Sequence, residues 1–406
     1  MTKMQRQGPD PADVVAGDLR TTSSLLAVAG LFVVNGLLIG GIGGTLPAMR
    51  ARLGVGTGGL AVMLVSLTVA AVASMQVGGR LSDSRGARSV ALPACALLIL
   101  GVGLLAFAPN LPFAAAAMAV AGLGNGAMDV SMNAIGVRVE AVRPKPVMSR
   151  LHACFSIGNL AGAGTVILVA RLVGERTGTV TPTLATLVLF SVGAGALILR
   201  WLPETSPFTD VTRSAGWPRL PAGAWLLGAM AFSFGLAEGT AVDWSSVHVT
   251  DVARVSPSTG AWGLVAVSSF MVVVRLFGDR AVAAFGRVTV VRAGGLTAAA
   301  GYLVAILGQA MPVLLAGWAL VGLGVGLIAP QVYAAAGHAG GGRMLAVVVT
   351  FGYGAFLVGP AIIGGLIGQV GIRHTMALPL CLALVLVALS GGLPRSGQAG
   401  EAWSAR

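Results

Sequence analysis

Ionisable side chains are scarce in this chain: only 10% of its 406 residues are charged, and the acidic ones number 14. Soluble domains carry about a quarter charged residues, so the scarcity excludes that class, and a mean hydropathy of +0.87 excludes it again. Cysteine is almost missing too. Cys95, Cys154 and Cys381 all fall in apolar runs, without metal-ligand spacing or an extracellular disulfide framework, and read as small packing residues. No nucleophile, base and acid set, phosphate-cradling loop or metal-ligand cluster is present, which argues against an enzyme and against any cofactor or metal. The first twenty residues contain Asp10, Asp13 and Asp18 and no apolar core ahead of a small-residue cleavage site. They are expected to form a cytoplasmic tail and not a cleaved signal.

What is abundant is apolar length. Stretches of about 20 residues, enough to cross a bilayer core as helix, recur along the chain. They predict twelve spans at 24–46, 58–79, 89–108, 112–137, 149–172, 179–201, 221–243, 260–278, 288–308, 311–336, 344–370 and 374–393. With the N-terminus inside, twenty of the twenty-six basic residues fall on the cytoplasmic side, Arg275 among them. Arg50, Arg52, Arg171, Arg176, Arg254 and Arg373 fall on the other. This asymmetry predicts cytoplasmic N- and C-termini and accounts for the net charge of +12 without nucleic acid. Lys3 and Lys145 are the only lysines, a composition that suits a GC-rich bacterial genome and therefore a bacterial plasma membrane.

The most polar interruption, Arg200 to Pro221, divides the spans six and six. A duplicated unit is expected, and internal matches support it: Gly122-Leu-Gly-Asn-Gly has a counterpart 200 residues later in Gly322-Leu-Gly-Val-Gly. Asn35-Gly-Leu likewise matches Phe234-Gly-Leu, and Phe155-Ser-Ile-Gly matches Phe351-Gly-Tyr-Gly. The expected organisation is a tail (1–23), a six-helix bundle (24–201), a linker (202–220), a second six-helix bundle (221–393) and a tail (394–406).

Only Asp129 and Glu238 among the acids lie well within spans. A charged carboxylate near a helix centre costs about 3 kcal/mol on insertion scales, so such residues usually face the bundle interior and mark ion or substrate paths. Removal from water favours the neutral form of any carboxyl group, which makes both acids candidates for proton coupling. Glu238, toward the outer end of its span, reads equally as an external gate or an interfacial residue, and Asp243 and Trp244 read as interfacial anchors. Asn125, Asp129 and Asn133, spaced by four, form one helical stripe able to present donors and acceptors to a small polar solute. Asn35, Asn159, Gln331 and Tyr333 could join the same cavity; packing between helices is the competing reading for each. Tyr333 stands opposite Asn133 in the repeat register. His152 could titrate or simply hydrogen-bond at a helix end. Pro330 and Gly359-Pro360 should kink their helices.

The loop Gly79-Arg-Leu-Ser-Asp-Ser-Arg-Gly-Ala-Arg88 resembles the cytoplasmic signature of the major facilitator superfamily, and Arg275-Leu-Phe-Gly-Asp-Arg280 resembles a degraded copy. Gly79 lets helices approach and Gly86 permits a left-handed turn; a merely solvated turn with topogenic arginines is the alternative. The resemblance implies an all-α membrane protein of two pseudo-symmetric six-helix bundles. It further implies a conformational latch of Gly79, Asp83, Arg85, Gly86, Arg88, Asp279 and Arg280, with Asp83 against the start of span eleven. Met128-Asp-Val-Ser-Met-Asn-Ala134, Ser149-Arg-Leu-His-Ala-Cys-Phe-Ser-Ile-Gly158 and Glu238-Gly-Thr-Ala-Val-Asp-Trp-Ser245 are similar to the fucose-permease-like branch and its rhizopine-transporter-like (MosC-like) members. That implies a monomeric, proton-coupled carrier of a sugar, polyol or inositol derivative, with Asp129 as proton site. Fucose permeases carry a second acid in span one, where this chain has Gly43. A proton-driven exporter of drugs or natural products and a non-transporting sensor or scaffold remain as alternatives. Against the first, span four lacks an intramembrane arginine; against the second, no large soluble domain is present.

Overall fold

The computed structural model describes residues 19, 21–144, 147–174, 177–205 and 222–393, with the side chains at 177, 222, 279 and 340–343 outside that set. Most of the expected linker (202–220) and tails (1–23 and 394–406) lies outside the described residues. Among the described residues all regular structure is helical. The first half comprises α1 (Thr22–Leu53), α2 (Thr57–Arg85), α3 (Arg88–Ala106), α4 (Leu111–Ala141), α5 (Met148–Val173) and α6 (Val180–Trp201). The second comprises α7 (Ala222–Ala253), the short α8 (Pro257–Gly260), α9 (Trp262–Phe285), α10 (Arg287–Leu307), α11 (Met311–Val325), α12 (Ile328–Thr375) and α13 (Ala377–Leu389).

Among the described residues eleven helical segments are long and apolar enough to cross a membrane. The twelfth expected span, 374–393, is shorter: α13 has 13 residues, about 20 Å of helix against a core of about 30 Å. The break expected between spans ten and eleven is itself helical, since α12 continues through it. It does not run straight. The Tyr333 hydroxyl lies against Gly352, whereas a straight helix would separate the two by about 28 Å.

Polar side chains set the helix ends. The Thr21 hydroxyl accepts from the Ser24 N–H at 3.1 Å to start α1, and Asn110 Oδ1 accepts from the Phe113 N–H at 3.0 Å to start α4. The Glu140 carboxylate, at the end of α4, accepts from the N–H groups of Val147 and Met148 at 2.7 and 2.9 Å, and so ties α4 to the first turn of α5.

The halves repeat one another in atomic detail. A Cβ on Gly122 would strike the Leu67 carbonyl of α2, and one on Gly322 would strike the Val267 carbonyl of α9, 200 positions on. Gly124 abuts Ala94 and Leu98, and Gly324 abuts Gly294 and Ala298 in the same way. The turn at Gly86 (φ 87°) recurs at Gly286 (φ 78°), and that at Gly54 (φ 63°) recurs at Arg254 (φ 52°), where a side chain occupies the left-handed region. Within each half α4 packs on α2 and α3 as α11 packs on α9 and α10, and α1 packs on α5 as α7 packs on α12. Across the halves α5 meets α9, α2 meets α12 and α1 meets α7.

The tight glycine contacts yield a test. Gly122→Ala and Gly322→Ala should each destabilise the protein by about 1–3 kcal/mol by overpacking. Gly164→Ala, with open space around it, should be near neutral. Thermal unfolding of the three purified variants in detergent measures the difference.

Candidate functional site

The two membrane acids lie in the middle of their helices and both are partnered. On α4, Asp129 Oδ2 accepts a hydrogen bond from the Tyr353 hydroxyl of α12 at 2.7 Å. Asn133 Nδ2, one turn on, donates to the Asp129 backbone carbonyl at 2.8 Å and to its Oδ1 at 3.1 Å. On α7, Glu238 pairs with the Arg275 guanidinium of α9 at 3.0 Å, the two side chains being 14% and 11% exposed. Arg275 also donates to Ser156 Oγ of α5 at 2.5 Å and to the Gly326 carbonyl at 3.3 Å. Tyr333 is within electrostatic range of both acids, with its ring edge-on to Phe234 at 5.5 Å. His152, edge-on to Phe32, is within range of Arg275.

Three corrections follow for the second acid and its neighbours. Glu238 is neither unpaired nor near an outer end, because α7 extends to Ala253 and places it centrally. Arg275, grouped by its loop motif with the cytoplasmic basic residues, is the cation that satisfies it: α9 runs on past it to Phe285, so it remains inside the bundle. Trp244, expected at the interface, is 1% exposed and packs against Gly364 of α12.

The remaining cavity candidates divide. Asn159 Oδ1 accepts from the Ser268 hydroxyl of α9 at 2.9 Å, a third polar bond across the halves beside Tyr353–Asp129 and Arg275–Ser156. Asn35 is fully buried with its Nδ2 unpartnered. Gln331 Oε1 accepts from Arg287 at 3.4 Å, and Asn125 is half-buried on the stripe of Asp129.

The halves are sealed at one end. At the C-terminal ends of α1 and α7, Arg50 and Asp251 form a two-point ion pair, with Nη1 to Oδ2 at 2.7 Å. Nearby, Gly43 of α1 meets the Val242 carbonyl of α7, and Gly364 of α12 meets Ala61 of α2. At the opposite end Arg88 bonds within its own half. Arg88 donates to Glu204 at 2.6 Å and to the Leu199 carbonyl at 3.2 Å, and Gly86 abuts the Thr205 carbonyl. Asp83 is within electrostatic range of Arg138 of α4. Arg85 is exposed, Arg280 lies 5.9 Å over the Phe277 ring, and the Asp279 side chain lies outside the described residues. Gly79 is not the close-contact glycine: a Cβ there would sit 3.7 Å from Val130, whereas one on Gly78 would sit 3.1 Å from the Ala127 Cα.

The sequence reading missed Arg275, Tyr353 and Tyr302, whose hydroxyl donates to the Ala237 carbonyl at 2.5 Å, beside Glu238. Scarcity was the available signal. The chain has 3 tyrosines, and all of them stand at or beside the two membrane acids.

No family model matches the chain. It is 33% identical to the transporter y4wD of Sinorhizobium fredii over 83% of this chain and 89% of that one. An MFS-type transporter of Yersinia pestis is 30% identical over 89% and 91%. The membrane protein MosC of Rhizobium meliloti is 29% identical over 90% and 89%. Among solved structures, the nucleoside transporter NupG superposes with a TM-score of 0.69 at 13% identity, covering 90% of this chain and 98% of that one. The human organic anion transporter MFSD10 superposes at 0.62 and 17% identity, covering 94% and 100%.

Breaking the buried pair should be expensive. Arg275→Met should destabilise by about 3–5 kcal/mol by leaving Glu238 alone in the bundle, and Arg275→Met with Glu238→Leu should recover most of the loss. Denaturant or thermal unfolding of single and double variants reads the coupling.

Proposed function

Because the chain belongs to the major facilitator superfamily of membrane transporters, and is a transporter and not an enzyme, we propose that it moves a small polar solute of the sugar, polyol or inositol-derivative kind by alternating access coupled to protons. In this reading twelve spans cross a bacterial plasma membrane, six in each half, with N- and C-termini in the cytoplasm and the protein working as a monomer. The seal at Arg50 and Asp251 then lies on the outer side, and the conformation is inward-facing.

The observation that carries the proposal is the hydrogen bond from Tyr353 to Asp129. It joins an ionisable group of one half to the other half, and a bond to a carboxylate is stronger than one to a neutral acid. Proton uptake at Asp129 would weaken the joint and proton loss would restore it, so protonation biases the relative position of the halves. Glu238, tied to Arg275 and through it to Ser156, makes a second, charge-paired joint. Asn125 and Tyr333 flank Asp129 and are assigned to the solute, with Asn133 orienting the carboxylate. Asn35, Asn159 and Gln331 would adjust their partners as the halves rock. The residues Gly79, Asp83, Arg85, Gly86 and Arg88, with Asp279 and Arg280, would steady the outward-facing state, in which the cytoplasmic ends come together.

Purified protein in liposomes with candidate sugars and polyols and an imposed proton gradient tests this directly. Gradient-driven accumulation should fall at least about tenfold in Asp129→Asn while solute exchange without a gradient persists. Equal driven uptake by both proteins would refute the proton assignment, and outward-only movement of a hydrophobic amine would favour an exporter.

A further inference from the structure

A groove of about 660 Å³ runs between α3 and α6 and has no role in the transport scheme. Its floor includes Leu31 of α1 and Ile198 of α6, both buried, and Leu100 and Val192 on its two walls are 52% and 54% exposed. It therefore opens sideways, toward lipid in a membrane transporter. Every lining side chain is apolar, and on α3 the lining runs from Leu92 to Phe107, about 22 Å of helix.

Hydrogen bonds at both ends hold the two walls. At one end the Thr181 hydroxyl of α6 donates to the Ala106 carbonyl of α3 at 2.7 Å, and Arg52 of α1 donates to that carbonyl at 2.8 Å and to Thr181 Oγ1 at 3.1 Å. At the other end Arg88 of α3 donates to the Leu199 carbonyl of α6 at 3.2 Å. Between these ties each wall leans on a different neighbour. A Cβ on Gly30 or Gly41 of α1 would strike Ile198 or Leu187 of α6, whereas one on Gly101 of α3 would strike Ala121 of α4. The lining residues Ala96, Gly103 and Gly195 are small, and a Cβ on Gly195 would touch nothing. The second half is closed at the matching place: a Cβ on Gly295, 200 positions beyond Cys95, would stand 2.8 Å from Val387 of α13 and 3.1 Å from the Ala383 carbonyl.

Water gains no hydrogen bonds in an apolar cleft, so the fitting occupant is itself apolar and long. A fatty acyl chain meets both requirements, since one leaflet contributes about 15 Å of a bilayer core of about 30 Å. The mouth at Leu92 and Leu199 is basic. Arg88 stands there, paired with the exposed Glu204 at 2.6 Å, and Arg200, also exposed, adds a second guanidinium beside Leu199. Arginines at the mouth of a cleft between membrane helices suit a phosphate headgroup.

We propose that this groove binds one acyl chain of an anionic phospholipid, with the lipid phosphate on Arg88 and Arg200. The bound chain joins the α1–α6 pair to the α3–α4 pair and completes the packing of the first half. The site needs neither the solute nor the proton assignment.

The test is lipid retention. Purified full-length protein is stripped of lipid in detergent, supplied with dioleoyl phosphatidylglycerol or dioleoyl phosphatidylcholine, and weighed by native mass spectrometry under activation that removes loosely held lipid. One phosphatidylglycerol should stay bound, at a level about fivefold above phosphatidylcholine. Arg200→Gln should reduce that preference. Gly195→Phe and Ala96→Phe, which fill the groove from its two walls, should each remove the retained lipid, with thermal unfolding reporting that the variants are folded. Arg200→Gln alters an exposed side chain and so decides the matter even if a filled variant does not fold. Equal retention of the two lipids, an unchanged preference in Arg200→Gln, or a retained lipid that persists in a folded, filled variant overturns the proposal and assigns the lipid to the ordinary coat. A dimer that is lost on filling the groove overturns it too, and gives the groove to a second copy of the chain.

Discussion

A charge within a bilayer has no water to turn to, and the centre of this molecule is arranged around that constraint. Glu238 would be costly on α7 alone, so α9 carries Arg275 to the same depth, and Arg275 in turn needs more acceptors than one carboxylate supplies. It finds them in the Gly326 carbonyl and in Ser156 of the opposite half. Satisfying one buried acid thus draws α5, α7, α9 and the end of α11 together. Asp129 is met differently, by neutral donors only, the Tyr353 hydroxyl and the Asn133 amide. Among the described residues one acid is charge-balanced within its half and the other is held by neutral donors.

Glycine supplies the second condition, close helix contact. The 60 glycines include matched pairs that set the same helix approach in both halves, so each half is a tightly fitted block, and in the proposed transport cycle relative motion would fall on the polar seam between them.

Much of this was legible in the sequence for a physical reason. Hydrocarbon thickness fixes span length, and duplication preserves backbone contacts, so the apolar runs and the Gly122/Gly322 register read directly. Asp129 stood out because an acid in an apolar run is rare. Arg275 did not, since it sits in what resembles a loop signature, and a helix that continues past its apolar core leaves no local mark of doing so. Tyr353 was hidden in Phe351-Gly-Tyr-Gly, where the glycines claimed attention; its partner is 224 residues away in sequence, a pairing no periodicity encodes. Trp244 and Asp243 resembled an interfacial anchor because the apolar run seemed to end there, while the helix itself runs to Ala253. Gly78 and Gly79 differ only in which way each faces, and that is set by the rotation of α2 against α4.

The Glu140 cap on α5 bears on how the seam would part. By binding the first N–H groups of α5 from the end of α4, it ties the two helices together at their shared hairpin. Asp129 lies on one arm of that hairpin, and Ser156 and Asn159 on the other. In the proposed transport cycle a displacement begun at the carboxylate would therefore be passed through this hairpin to the other two bonds.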